Sequence, residues 1–209
     1  MVVTLSVDPT PSSPGLVLRP WSPEDVEALL AAHRDPLLQT WLATHLDGED
    51  QARRWIVDQG AGWSAGTRFS FAVLECGDGR TGAGPPIGHV ALKRGSRPQD
   101  PAEVGYWTSA GARGRGVAPR ALDAVSRWAL GPRTGMRLDR LHLIHASGNA
   151  ASCRVAEKSG YGLDSVLPPY PPAFRTEGHL HVRTAADGVR RSGCGPGRRG
   201  TSGGSGATP

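Results

Sequence analysis

Apolar positions along this chain switch between two periods, and the switches mark its elements. Short alternating or apolar runs at Leu16–Arg19, Phe69–Leu74, Ile87–Leu92, Ala102–Thr108, Leu141–His145, Gly162–Leu167 and Leu180–Thr184 predict strands. Helical spacing begins at Pro23, with Ser22 as N-cap and acidic Glu24 and Asp25 in the first turn. Val26, Leu29, Leu30 and His33 form its inner face, and Pro36 stops it. A second helical region runs from Leu37 towards Gln59, broken near His45 to Gly48, with Trp41, Trp55 and Ile56 turned inward. The longest stripe places Val117, Ala121, Leu122, Val125, Trp128 and Ala129 on one face of a helix starting near Arg115. Pro119 fits only the first turn of that helix, where its missing N–H costs nothing. Asn149–Ser159 is a short helix stopped by Gly160. The Gly- and Pro-rich segment Cys76–Pro86 reads as a long hairpin loop, so the strands beside it run antiparallel. Strand, strand, strand and then helix is a mixed α+β pattern rather than a regular βαβ alternation.

At 209 residues the chain suits one domain with a full core. Residues 1–15 carry prolines and serines with little periodicity and read as a flexible arm. Residues 188–209 are Gly, Ser, Arg and Pro without an apolar face, and read as a disordered tail after a domain spanning 16–187. Four arginines lie in that tail with no acid, so removing them from the net +5 leaves +1. A near-neutral core argues against a nucleic-acid-binding protein. No apolar run is long enough to span a membrane, no signal-peptide pattern stands at the start, and three cysteines without metal-ligand spacing suit a reducing cytoplasm. No metal site is expected from these spacings, and the chain suits a monomer or a homodimer.

The chemistry concentrates between Tyr106 and Leu130. A strand, Glu103–Thr108, runs into Arg113-Gly-Arg-Gly-Val-Ala118 and then into the helix. A helix start presents unpaired N–H groups to an anion, and Gly114 and Gly116 let the backbone turn sharply and approach a ligand. Arg113 and Arg115 add mobile positive charge, so the turn suits a phosphate or pyrophosphate; a solvated basic turn is the other reading. It is not a nucleotide-triphosphatase loop, since no Gly-Lys-Ser/Thr follows, nor a dinucleotide fingerprint, since Pro119 stands where a small residue is needed.

Arg113-x-x-Gly116-x-Ala118 between a strand and a helix resembles the acyl-CoA pyrophosphate motif of the GNAT N-acetyltransferase superfamily. Asn149-Ala-Ala-Ser152, leading a helix that ends in Gly160-Tyr161, resembles that family's second signature. Leu18-Arg-Pro-Trp21 with Glu24 and Asp25 resembles the branch that acetylates ribosomal-protein N-termini, the ribosomal-protein-alanine N-acetyltransferases. The resemblance implies a central, mostly antiparallel sheet of six to seven strands, splayed between the fourth and fifth, with about four flanking helices. It implies direct acetyl transfer from acetyl-CoA to a primary amine, of a protein N-terminus or a small molecule, in a ternary complex. A non-catalytic acyl-CoA-binding or regulatory module on the same fold is the alternative.

By resemblance, the backbone of Tyr106, Trp107 and Thr108 pairs with the pantetheine arm, the N–H groups of Gly114, Arg115, Gly116, Val117 and Ala118 take the pyrophosphate, and Asn149 meets the pantetheine amides. Asn149 also suits a plain N-cap. Glu103 is placed to accept the amine proton, directly or through water, if burial raises its pKa, and is otherwise a structural ion pair or a solvated side chain; His89, His142 and His145 are further candidate bases or satisfied strand histidines. Many relatives carry a tyrosine seven residues after the signature asparagine, and Ala156 stands there. Ser152, one turn earlier on the same face, becomes the donor to the leaving sulfur, or a helix-surface serine. Trp41, His45, Trp55 and Trp63 could shape an acceptor pocket or serve as ordinary core and surface residues. Leu167-Pro-Pro-Tyr-Pro-Pro172 departs from the shorter link of most relatives, on the acceptor side.

Overall fold

The computed structural model describes residues 3–77, 84–97, 100–134, 136–171 and 174–186. Among these residues eight strands form one sheet: β1 Leu5–Val7, β2 Leu16–Pro20, β3 Arg68–Glu75, β4 Gly88–Lys93, β5 Ala102–Thr108, β6 Arg140–Ala146, β7 Gly162–Leu167 and β8 Gly178–Thr184. Their order is β1-β2-β3-β4-β5-β6-β8-β7, antiparallel throughout except for the parallel β5–β6 pair. Among the described residues five α-helices flank it: α1 Val26–His33, α2 Pro36–Trp41, α3 Glu49–Ala65, α4 Val117–Leu130 and α5 Ala150–Lys158.

Period-two patterning divides the core between the two sheet faces. Phe71 and Val73 of β3 pack with Val90, Leu92 and Val104 under the α4 stripe Val117, Ala121, Leu122 and Val125. Their neighbours Ala72 and Leu74 face the other way, where Trp107 joins Trp21, Leu29, Leu38 and Ile56 beneath α1, α2 and α3. Leu122 is fully buried, so truncating it to alanine would cost about 2–5 kcal/mol. Buried Arg183 of β8 donates 2.8 Å hydrogen bonds to Asp123 of α4 and to the Ser159 carbonyl after α5. This satisfied charge ties both helices to the sheet.

The β5–β6 pairing covers only Ala102 to Val104 against Leu141 to Leu143. Beyond it the strands separate, while Gly105–Thr108 stay paired to β4 on their other side. This is the splay expected between the fourth and fifth strands. The strand count differs from expectation because the arm is not wholly loose. Leu5 and Val7 pair with β2 and pack, with Val3, against the core beside α4. Three residues in a Pro- and Ser-rich context carry little periodicity of their own, and the exposed edge of β2 supplies the order. The tail expected at 188–209 lies outside the described residues.

Candidate active site

The turn after β5 takes the shape its glycines allow. A 3-10 turn at Ala110–Ala112 leads to Gly114 and Gly116, both at φ 74°, in the left-handed region that costs other residues strain. Gly116 caps α4. The first-turn N–H groups of α4 have no carbonyl one turn earlier to meet, and they open on a cleft.

Both arginines of the turn are tethered rather than mobile. Arg113 is ion-paired with Asp35, the N-cap of α2, which also accepts from Leu37 N at 2.9 Å. Burial pushes Asp35 up, but Arg113 and the helix N–H groups outweigh it and hold the carboxyl below its ordinary value. Arg115 pairs with Glu75 at 2.5 Å, lies outside the cleft lining, and its carbonyl accepts from Ser13 Oγ at 3.3 Å. Both guanidiniums thus brace the turn. An anion there would meet backbone N–H groups first.

The cleft, about 1450 Å³, opens where β5 and β6 part. Asn149 caps α5, its Oδ1 accepting from Ser152 N at 3.1 Å. Ser152 Oγ lies 2.8 Å from Tyr106 Oη. Burial, opposed by that hydrogen bond, pushes the Tyr106 hydroxyl up to about 12, so the phenol stays neutral. Sequence reasoning assigned Tyr106 only a backbone role and missed this pair, whose partners are 46 positions apart. Ala156 is fully buried one turn beyond Ser152. Tyr161 is core, its hydroxyl 2.6 Å from that of Ser126.

Glu103, Gly105 and Trp107 share the other face of β5. Glu103 is exposed, stands opposite Lys93 on β4 and His142 on β6, and lines the cleft with Lys93. A Cβ at Gly105 would meet nothing within 4 Å, so this face has room for a ligand beside the carboxylate. The Trp107 ring turns into the core, stacked on His89 at a 5.7 Å centroid distance. His89 Nδ1 accepts from Trp21 Nε1 at 2.9 Å, and burial lowers its pKa to about 3. It is a neutral core histidine and is removed from the candidate bases.

The wall opposite is apolar and open. Leu37 (48% exposed), Trp41 (39%) and Tyr170 (70%) all line the cleft. Trp41 therefore faces the cleft instead of the core, reaching across so that a Cβ on Gly148 would sit 3.7 Å from its ring. Of the four residues considered for an acceptor pocket it alone lines the cleft: Trp55 and Trp63 pack inward and His45 is exposed elsewhere. Arg154 and Lys158 also line the cleft. Their spacing of four on α5 was a readable signal that they share a helix face.

A model of the acetyltransferase (GNAT) domain family matches residues 15–162. No curated protein sequence is a significant match. Among solved structures, a GNAT-family acetyltransferase from Bacillus anthracis superimposes with a TM-score of 0.71 at 17% identity, covering 88% of this chain and 99% of that one. RimJ from Mycobacterium smegmatis, solved with a CoA disulfide, gives 0.70 at 19% identity, covering 91% and 94%. The ribosomal-protein-S5-alanine acetyltransferase from Vibrio fischeri gives 0.68 at 16% identity, covering 82% and 94%. These likenesses are of fold.

Proposed function

This chain belongs to the GNAT acetyltransferase family, and on that premise we propose that it transfers the acetyl group of acetyl-CoA directly to a primary amine, on a protein N-terminus or a small molecule, within a ternary complex. The observation that carries this reading is the open edge of β5, Gly105–Thr108, running straight into a turn with two left-handed glycines at the start of α4.

The donor fits that surface. An edge strand offers unpaired N–H and C=O groups, to which an extended chain carrying amides adds like another strand. Tyr106, Trp107 and Thr108 would hold the pantetheine arm in this way. The N–H groups of the turn from Gly114 to Ala118 would hold the pyrophosphate, with the helix dipole favouring its charge. Asn149 Oδ1 is committed to its cap, so a contact from its side chain to the pantetheine would come from the amide nitrogen. Arg154 and Lys158 add positive charge along the same cleft.

Acetyl-CoA would supply a thioester, and the chain must then place an uncharged amine beside it. Positioning alone can account for much of the rate. Glu103 would take the amine proton, directly or through water, on the face that Gly105 leaves open. Ser152 would donate to the departing sulfur. When Tyr106 donates its O–H to Ser152 Oγ, the serine proton is free to point onward, so the pair acts as one donor. No covalent enzyme intermediate is involved.

The experiment is calorimetric titration of acetyl-CoA into wild type and Gly116→Glu, followed by thiol-release assays on amine-bearing peptides and small amines. Wild-type binding that the variant weakens at least tenfold supports the turn as the pyrophosphate site. Absence of binding in folded wild type would sink the reading. Binding without turnover on any amine would leave the acyl-CoA-binding module.

A further inference from the structure

His145, Cys153, His179 and His181 come together outside the proposed transfer chemistry. His145 lies on β6, and His179 and His181 on one face of β8, with His145 directly opposite His179 in the register. Cys153 reaches them from α5. Each offers one ligand atom, and all four atoms lie within 4.8 Å of one another. Cysteine spacing alone gave no ligand pattern, because three of the donors are histidines on neighbouring strands.

We propose that these four side chains form a closed, four-coordinate site for a zinc-class divalent cation. The donor set is the one such ions select, imidazole nitrogen with thiolate sulfur. Bonds of about 2.0–2.1 Å to nitrogen and 2.3 Å to sulfur at tetrahedral angles separate ligand atoms by roughly 3.3–3.6 Å. Cys153 Sγ lies 3.2 Å from His179 Nδ1 and 3.6 Å from His145 Nε2. His145 Nδ1 lies 2.8 Å from the Ala146 carbonyl, which holds the proton on Nδ1 and leaves the Nε2 lone pair towards the cluster.

His181 is the independent observation. It is 1% exposed, and neither ring nitrogen has a hydrogen-bond partner among the described residues. The Tyr161 carbonyl lies close enough to influence its charge without reaching hydrogen-bond geometry. A buried imidazole with an unmet lone pair beside a thiol and two more imidazoles is what a metal ligand looks like before coordination. On binding, the Cys153 S–H bond breaks, its proton goes to solvent, and the thiolate coordinates. With all four positions filled by protein, the ion would be structural. It would clamp α5 to β6 and β8 one residue from Ser152, and His145 puts it at the border of the cleft.

Cobalt(II) is the probe, titrated into the tag-free, chelator-treated full chain under mild reduction. Equimolar uptake is expected, with intense visible bands of four-coordinate cobalt and a near-ultraviolet thiolate band, both bleached by zinc. Cys153→Ser should lose the thiolate band. His181→Gln, or the less buried His179→Gln where that fails to fold, should weaken uptake at least tenfold. A Cys76→Ser/Cys194→Ser variant should behave as wild type. Weak pale spectra, no stoichiometric uptake by folded wild type, or a thiolate band persisting in Cys153→Ser would each overturn the site. None of these readouts depends on acetyl transfer.

Discussion

Strand β5 divides the cleft into two sides built on opposite terms. Towards α4 and α5 the walls are braced: Val104 is in the core, Tyr106 meets Ser152, and Asp35 and Glu75 pin the turn through its arginines. Towards α2 little is tied: Glu103 is exposed, Gly105 opens on space, and Leu37, Trp41 and Tyr170 present apolar surface. A braced side made mainly of backbone suits a ligand that never varies. An open side made of side chains suits one that varies between relatives. On the proposed reading, the invariant donor would lie on the first side and the acceptor on the second.

The largest test breaks the braced side without touching its shape. Ser152→Ala removes one hydroxyl and orphans the Tyr106 partner. Removing a single donor aimed at developing charge typically costs on the order of 100-fold in kcat. That loss is expected here, with acetyl-CoA affinity unchanged within about twofold. Tyr106→Phe should cost less, about tenfold for one lost hydrogen bond, because the serine keeps its own proton. An unaltered kcat in Ser152→Ala would make the pair structural. Loss of acetyl-CoA binding in proportion would move its role to holding the donor.

Glu103→Gln probes the open side and should have the next largest effect. A loss of up to about 100-fold in kcat/KM near neutral pH is expected, the low end for a lost general base. Its sharpening feature is the pH profile. If Glu103 only removes a proton from the amine, raising the pH supplies neutral amine directly, and the variant should converge on wild type. A loss that is constant with pH would assign Glu103 to binding or to the sheet.

The two sides were not equally legible. The glycine turn and its helix could be read because six consecutive residues carry them, and local φ demands do not depend on distant partners. The strands and helices emerged for the same reason, since period and capping are local. What escaped is what distance decides. Arg113 and Arg115 read as mobile charges because their partners, Asp35 and Glu75, lie 78 and 40 positions away. Trp41 read as pocket wall or ordinary core alike, because an amphipathic period shows which face is apolar and does not show that a second element leaves the face uncovered. β1 escaped because a three-residue strand draws its order from the edge it meets, and the imidazole cluster because only the β6–β8 register assembles it.

The smallest effect should come from the open wall itself. Trp41 is 39% exposed and lines the cleft, so only the part of its ring now in water can be covered by an acceptor. Covering about 40 Å² of apolar surface yields roughly 1 kcal/mol, or about fivefold in affinity. Trp41→Ala should therefore raise the acceptor KM about fivefold while the acetyl-CoA KM and kcat stay put, because α2 is anchored at its other end by Leu38 in the core and by the Asp35–Arg113 pair. An equal rise in both KM values would mean that Trp41 props the whole cleft, and the separation of a braced donor side from an open acceptor side would then fail at this residue.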